Sequence, residues 1–136
     1  MKHPIITVLV LLLLCCSCAA PTATTIFGDP CEALSEKQLT YLAGFSRTAL
    51  KKNAVKYKFT QEELDIIKNT EPRLRTEYRG NRYGTLFVLW NTPKRILGMR
   101  FEGALDVEVP SCAMVIGSTD GSEVGTIQPD KTRRGR

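Results

Sequence analysis

Apolar residues along this chain fall into three spacings, and each spacing predicts a different kind of element. Ile5 to Leu14 is a ten-residue apolar run broken only by Thr7, with no period. Further on, Leu34, Tyr41, Leu42, Phe45 and Ala49 recur near helical spacing. That stripe predicts a helix from Pro30 to about Lys51, with Asp29 as N-cap and Glu32 at the capping-box position. Gly44 within it suggests a close approach to another element. A second, shorter helix is predicted after Phe59: Thr60 and Glu63 form a capping-box pair, and Phe59 can staple onto Leu64. Ile66 and Ile67 continue it until Asn69 and Pro72 close it.

From Arg73 the period becomes two. Leu74, Thr76 and Tyr78 alternate with Arg73, Arg75, Glu77 and Arg79, the pattern of a half-buried strand. Gly80-Asn81 predicts a turn, and Tyr83 to Trp90 is nearly continuous apolar sequence suited to a central strand. After Asn91-Thr92-Pro93-Lys94, the residues Leu97, Met99 and Phe101 share one face with Arg95, opposite Ile96, Gly98, Arg100 and Glu102. Gly98 in that strand marks a bulge or a close backbone contact. Leu105, Val107 and Val109 predict a further strand and Cys112 to Ile116 a last one. Together these give an α+β fold: two N-terminal helices packed on an antiparallel sheet of four to five strands. The predicted organisation is a leader over 1–17, a lipidated N-terminus and flexible tether over 18–28, one domain over 29–117, and a disordered basic tail over 118–136.

The beginning of the chain settles the expected compartment. Met1-Lys2-His3 is a short basic opening, the apolar run follows, and Cys15-Cys16-Ser17-Cys18-Ala19-Ala20 is rich in small residues. This is the layout of a secretory signal peptide. Ten apolar residues fall short of the roughly 20 that a membrane-spanning helix needs. The residues around Cys18 resemble the lipobox of bacterial lipoproteins, in which a cysteine after a small residue becomes the acylated N-terminus. Ser17 fits the small position, whereas Cys15 stands where the family usually has Leu. Cys16, preceded by Leu13 and Leu14, is the rival site, and cleavage without acylation would instead give a soluble secreted protein. The resemblance implies palmitate-type chains on Cys18 and a lipid-anchored protein facing the periplasm. Ala19 resembles the outer-membrane address, because retention at the inner membrane typically uses Asp there.

Export changes the meaning of charge and cysteine. The formal net charge is +5, and nearer +4 without Lys2. Inside a cell that excess would raise nucleic acid as a partner; outside, anionic headgroups, lipopolysaccharide phosphates or an acidic protein take its place. Of five cysteines, three crowd around the leader's end and its acylation site, leaving Cys31 and Cys112. Two distant cysteines in an exported chain predict one disulfide, which in the chain-entropy model stabilises by about 4 kcal/mol. Two buried thiols are the alternative. The only histidine is His3, in the leader. Its removal takes away the Ser-His and Cys-His nucleophile pairs and the common metal sites. Paired carboxylates remain in Glu62, Glu63, Asp65, Glu102, Asp106 and Glu108, but they read as helix-opening or solvated positions. The expectation is a protein with no catalytic residue, no metal and no cofactor.

What remains is binding. Arg73, Arg75, Arg79, Arg82, Arg95 and Arg100 all fall on the three-strand stretch, and several can share the side away from the core. Arginine there suits bidentate contact with carboxylates or phosphates. The alternative is a solvated face neutralised by Glu77, Glu102, Asp106 and Glu108. Trp90 is either a core-edge residue or an interface anchor. Lys51, Lys52, Lys56 and Lys58 form a second basic cluster. The order of elements is similar to that of several small outer-membrane lipoproteins, including the two-helix, three-strand subunit of the barrel-assembly machine. That likeness is architectural, and it carries no residues over. The expected function is a non-enzymatic, membrane-anchored periplasmic lipoprotein, an accessory or binding subunit of a cell-envelope or secretion assembly, whose partner is another envelope protein. A periplasmic inhibitor or immunity protein that blocks a toxin or lytic enzyme is the alternative, and a carrier of an apolar ligand is a third.

Overall fold

The computed structural model of the chain describes residues 22–118 with their side chains and the backbone of 123–127. The leader, both acylation candidates Cys16 and Cys18, and the rest of the 118–136 tail lie outside the described residues. The described part is α+β. Its elements run β1 (Thr22–Thr24), β2 (Pro30–Glu32), α1 (Glu36–Lys52), α2 (Gln61–Asn69), β3 (Arg73–Gly80), β4 (Tyr83–Asn91), β5 (Arg95–Ala104), β6 (Ser111–Ser118) and β7 (Glu123–Ile127).

The first helix begins later than its sequence signals suggest. Pro30–Glu32 is extended and pairs antiparallel with Thr22–Thr24, placing Cys31 opposite Ala23. Asp29 therefore closes a turn instead of capping a helix. The cap is Ser35, whose hydroxyl accepts from the Gln38 N–H at 3.2 Å. The pairing also corrects the expected tether over 18–28: its last seven residues are folded against the domain, with Thr25 bridged to Tyr78 of β3. Helix α2 starts as predicted, with both halves of the Thr60–Glu63 capping box made. Gly44 has nothing within 4 Å of where a Cβ would stand, so no close approach requires it.

Strands β3 to β7 form one antiparallel meander in sequence order. Two expectations are corrected here. Residues Leu105, Val107 and Val109 form a connection and no strand, because their backbone is held from elsewhere. The Gln38 side-chain amide donates to the carbonyls of Leu105 and Val107 at 2.9 Å each, and the Leu105 N–H donates to the Arg82 carbonyl. The fifth strand comes instead from the predicted tail: Glu123–Ile127 pairs with β6.

Side chains directly opposite each other on paired strands share a face. Leu86, Val88 and Trp90 of β4 with Leu97, Met99 and Phe101 of β5 form the face under the helices. They meet Leu42 and Leu50 of α1, and the Phe45 ring packs at 6.0 Å from Phe101. Burying each such large side chain stabilises by about 1.5–3 kcal/mol. Ser46, the polar residue buried in the α1 stripe, donates its hydroxyl to the Leu42 carbonyl at 2.7 Å. Cys31 is a buried thiol in this core and Cys112 packs against it. The expected bond between them is not formed in this structure.

Candidate functional site

The helices cover one face of the sheet, and the opposite face carries an ordered mixture of charge and apolar surface. Strand registers align it into rows. One row runs Arg75, Phe87, Arg100 and Ala113; the next runs Arg73, Leu89, Gly98 and Val115; beside the first lies Glu77, Thr85, Glu102 and Ser111. Three arginines and two glutamates thus border a centre of Phe87, Leu89 and Val115.

Local packing explains the centre. A Cβ on Gly98 would stand 2.1 Å from the Val88 carbonyl oxygen and 2.8 Å from a Leu89 methyl. Glycine is the only residue that lets Leu89 lie across β5 at that point. Leu89, Ala113 and Val115 are buried, although they point away from the helices. Phe87 is half-buried, and the Arg75 guanidinium lies over its ring at 4.4 Å. A cation over an aromatic face at this distance is attracted by the ring's quadrupole.

Charge on this face is only loosely spoken for. Arg75 and Glu77 are 3.7 Å apart, and Arg100 and Glu102 3.3 Å. Both are same-strand neighbours with at least one exposed member, and exposed pairs of this kind contribute about 0–1 kcal/mol. Arg73 has no ion pair among the described residues. A partner's carboxylates can therefore replace these internal ones at little cost.

The sequence grouped six arginines, and the structure separates them. Arg73, Arg75 and Arg100 share the open face. Arg79 is the extra residue of a bulge in β3 and lies over the Tyr83 ring at 5.5 Å. Arg82, in the left-handed region with φ 51°, pairs with Glu32 and lies 3.7 Å from Asp106, joining β2 to the 105–109 connection. Its charge is further secured by that Glu32 hydrogen bond, which raises its pKa. Arg95 turns to the helix side, where Nε and Nη2 donate to Glu63 at 2.7 and 2.9 Å. Trp90 is 1 % exposed and its indole N–H donates to the Thr70 carbonyl at 3.0 Å, so it anchors the core and not a partner.

The Glu63 carboxyl titrates below its ordinary value. Burial disfavours its charge, but hydrogen bonds from Arg95 and the Thr60 N–H, with the Arg95 charge, outweigh burial and lower its pKa. A general acid needs the opposite direction. Among the described residues no three His, Cys, Asp or Glu side chains gather as a metal site. A groove of about 420 Å³ between α1 and α2 is lined by Leu64 and Ile67 within a polar rim that includes Arg47, Lys51, Asp65 and Lys68.

Phe87, Leu89 and Val115 were not singled out by sequence reasoning. Their signal was present: the Gly80-Asn81 turn sets the register that puts residues 73, 75, 87 and 89 on one face. No protein-family model, no curated protein and no solved structure matches this chain.

Proposed function

We propose that the chain is a non-enzymatic lipoprotein that binds another cell-envelope protein through the open face of its sheet. The observation carrying this reading is the setting of Arg73, Arg75 and Arg100 around the half-buried Phe87 ring on the side the helices leave uncovered. A partly exposed aromatic ring among weakly committed guanidinium groups is the composition of a protein interface, in which arginine and aromatic residues dominate the energetics. An acidic partner surface fits it.

The remaining parts follow the leader. Residues 1–17 are removed, Cys18 carries the acyl chains, and Ala19 directs the protein to the outer membrane. Metabolic labelling with an alkyne fatty acid should mark the wild type and leave Cys18→Ser unmarked; a fully labelled Cys18→Ser would move the site to Cys16. Two cysteines beyond the acylation site in an exported chain favour their oxidation to a disulfide. Protein unfolded without reductant should then react with no alkylating reagent at residues 31 and 112, and alkylation of both refutes the bridge.

The binding claim is tested in the anchored, full-length protein. The double variant Arg75→Glu, Arg100→Glu should melt as the wild type does and lose a partner that co-purifies in fixed proportion. A partner retained in full by that variant would move the interface off this face.

A further inference from the structure

We infer that the turn between β1 and β2 dips into the membrane interface, with Ile26 and Phe27 as its buried tip. The inference rests on the lipid-anchored reading and goes beyond it by naming the surface that touches lipid.

Phe27 is 79 % exposed and Ile26 57 %, adjacent at the apex of a turn, and neither contributes to the core. At the β3–β4 turn, Tyr83 is 50 % exposed with the Arg79 guanidinium over its ring, and β3 itself reaches the β1–β2 turn through Tyr78. Flexible loops do expose apolar groups, but this turn is built to hold them out. The Thr25 hydroxyl accepts from the N–H groups of Phe27 and Asp29 at 3.3 and 3.1 Å. The Thr25 N–H donates to the Asp29 carbonyl, Gly28 N–H to the Thr25 carbonyl, and Ile26 N–H to the Tyr78 carbonyl at 2.7 Å. Gly28 supplies the positive φ of 85° that the turn requires. Every backbone N–H from Thr25 to Asp29 is therefore satisfied within the protein. An apex whose donors do not need water can enter a water-poor region at much lower cost than an open loop.

Chain length selects lipid as the occupant. Four residue steps lead from Cys18 to Thr22, and four more from Thr22 to Ile26. At no more than about 3.5 Å each, the apex stays within roughly 28 Å of the acylated cysteine, and the start of β1 within roughly 14 Å. An aliphatic and an aromatic side chain side by side at such a tip suit the headgroup boundary, where aromatic rings are enriched.

The test uses the full lipidated chain on vesicles of phosphatidylethanolamine and phosphatidylglycerol, with Phe27→Trp as the probe. Position 27 is exposed, so folding is preserved, and buried Trp90 supplies an internal reference. The added tryptophan should emit at shorter wavelength on vesicles than in detergent-free solution, and brominated lipid should quench most of its emission while sparing Trp90. Vesicle-bound protein whose added tryptophan emits as in water and escapes quenching would overturn the inference alone. Protein that does not remain with the vesicles would overturn the anchor and the inference together.

Discussion

Arg95 grips Glu63 with two parallel hydrogen bonds while its guanidinium rests on the Phe59 ring at 5.3 Å, joining residues 32 apart in sequence. The pair fastens the first turn of α2 to the start of β5. Glu63 is 4 % exposed in its side chain and Arg95 27 %. Removing the arginine strands a buried carboxylate, which in a fully buried pair costs about 3–5 kcal/mol; solvent access at Arg95 lowers this to roughly 2 kcal/mol. Arg95→Ala should lose that much in urea denaturation. Glu63→Gln keeps its contact with Thr60 and one acceptor for Arg95, and should lose only about 1 kcal/mol.

The same pair sets an acid limit on stability. Because the Glu63 pKa is lowered from its ordinary 4.5 in the folded protein, its contribution is fully present above 4.5. It is lost as pH falls below 4.5 through the lower folded value. Melting temperatures recorded between pH 6 and 2 should therefore fall less steeply for Glu63→Gln than for the wild type. Parallel curves would show that other carboxylates carry the acid transition.

Gly98→Ala should be among the most damaging substitutions available. The new methyl meets a backbone carbonyl at 2.1 Å in the middle of a central strand, and neither β4 nor β5 can move aside alone. Overpacking of this kind costs about 3 kcal/mol or more. Gly44→Ala, in the open on α1, should instead be neutral or stabilising by up to about 1 kcal/mol, through helix propensity. The two variants compared by chemical denaturation separate a steric need for glycine from a tolerated one.

Much of this arrangement was legible because local rules and tertiary packing agree. Thr60 and Glu63 signal α2 by capping chemistry alone, alternation gives β3 and β5 with correct faces, and the continuous apolar run gives β4. Agreement fails where contacts distant in sequence decide. Leu105, Val107 and Val109 alternate as a strand should, yet Gln38 and Arg82 satisfy backbone groups of this segment and leave no need for a ladder. Glu123–Ile127 reads as polar and glycine-rich, and becomes a strand because β6 offers an edge. For the site, residue type identified the arginines, but only register shows that Arg73, Arg75 and Arg100 share a face. Arg82 and Arg95 bind carboxylates 50 and 32 residues away, which no spacing rule reveals.

Two competing helix starts make the last prediction a direct one. Asp29-Pro30 with Glu32 and Ser35 with Gln38 are both good capping patterns, and only one can begin α1. Extended pairing of Pro30–Glu32 with Thr22–Thr24 excludes the first, leaving the Ser35 hydroxyl to accept from Gln38. Ser35→Ala should destabilise by about 1 kcal/mol, the usual loss for an N-cap. Asp29→Ala, at an exposed turn residue whose backbone makes the hydrogen bonds, should stay within about 0.5 kcal/mol of the wild type. Denaturation curves in which Asp29→Ala is the more damaging of the two would place the helix start at Pro30 and remove the β1–β2 hairpin, and with it the rigid Ile26–Phe27 apex.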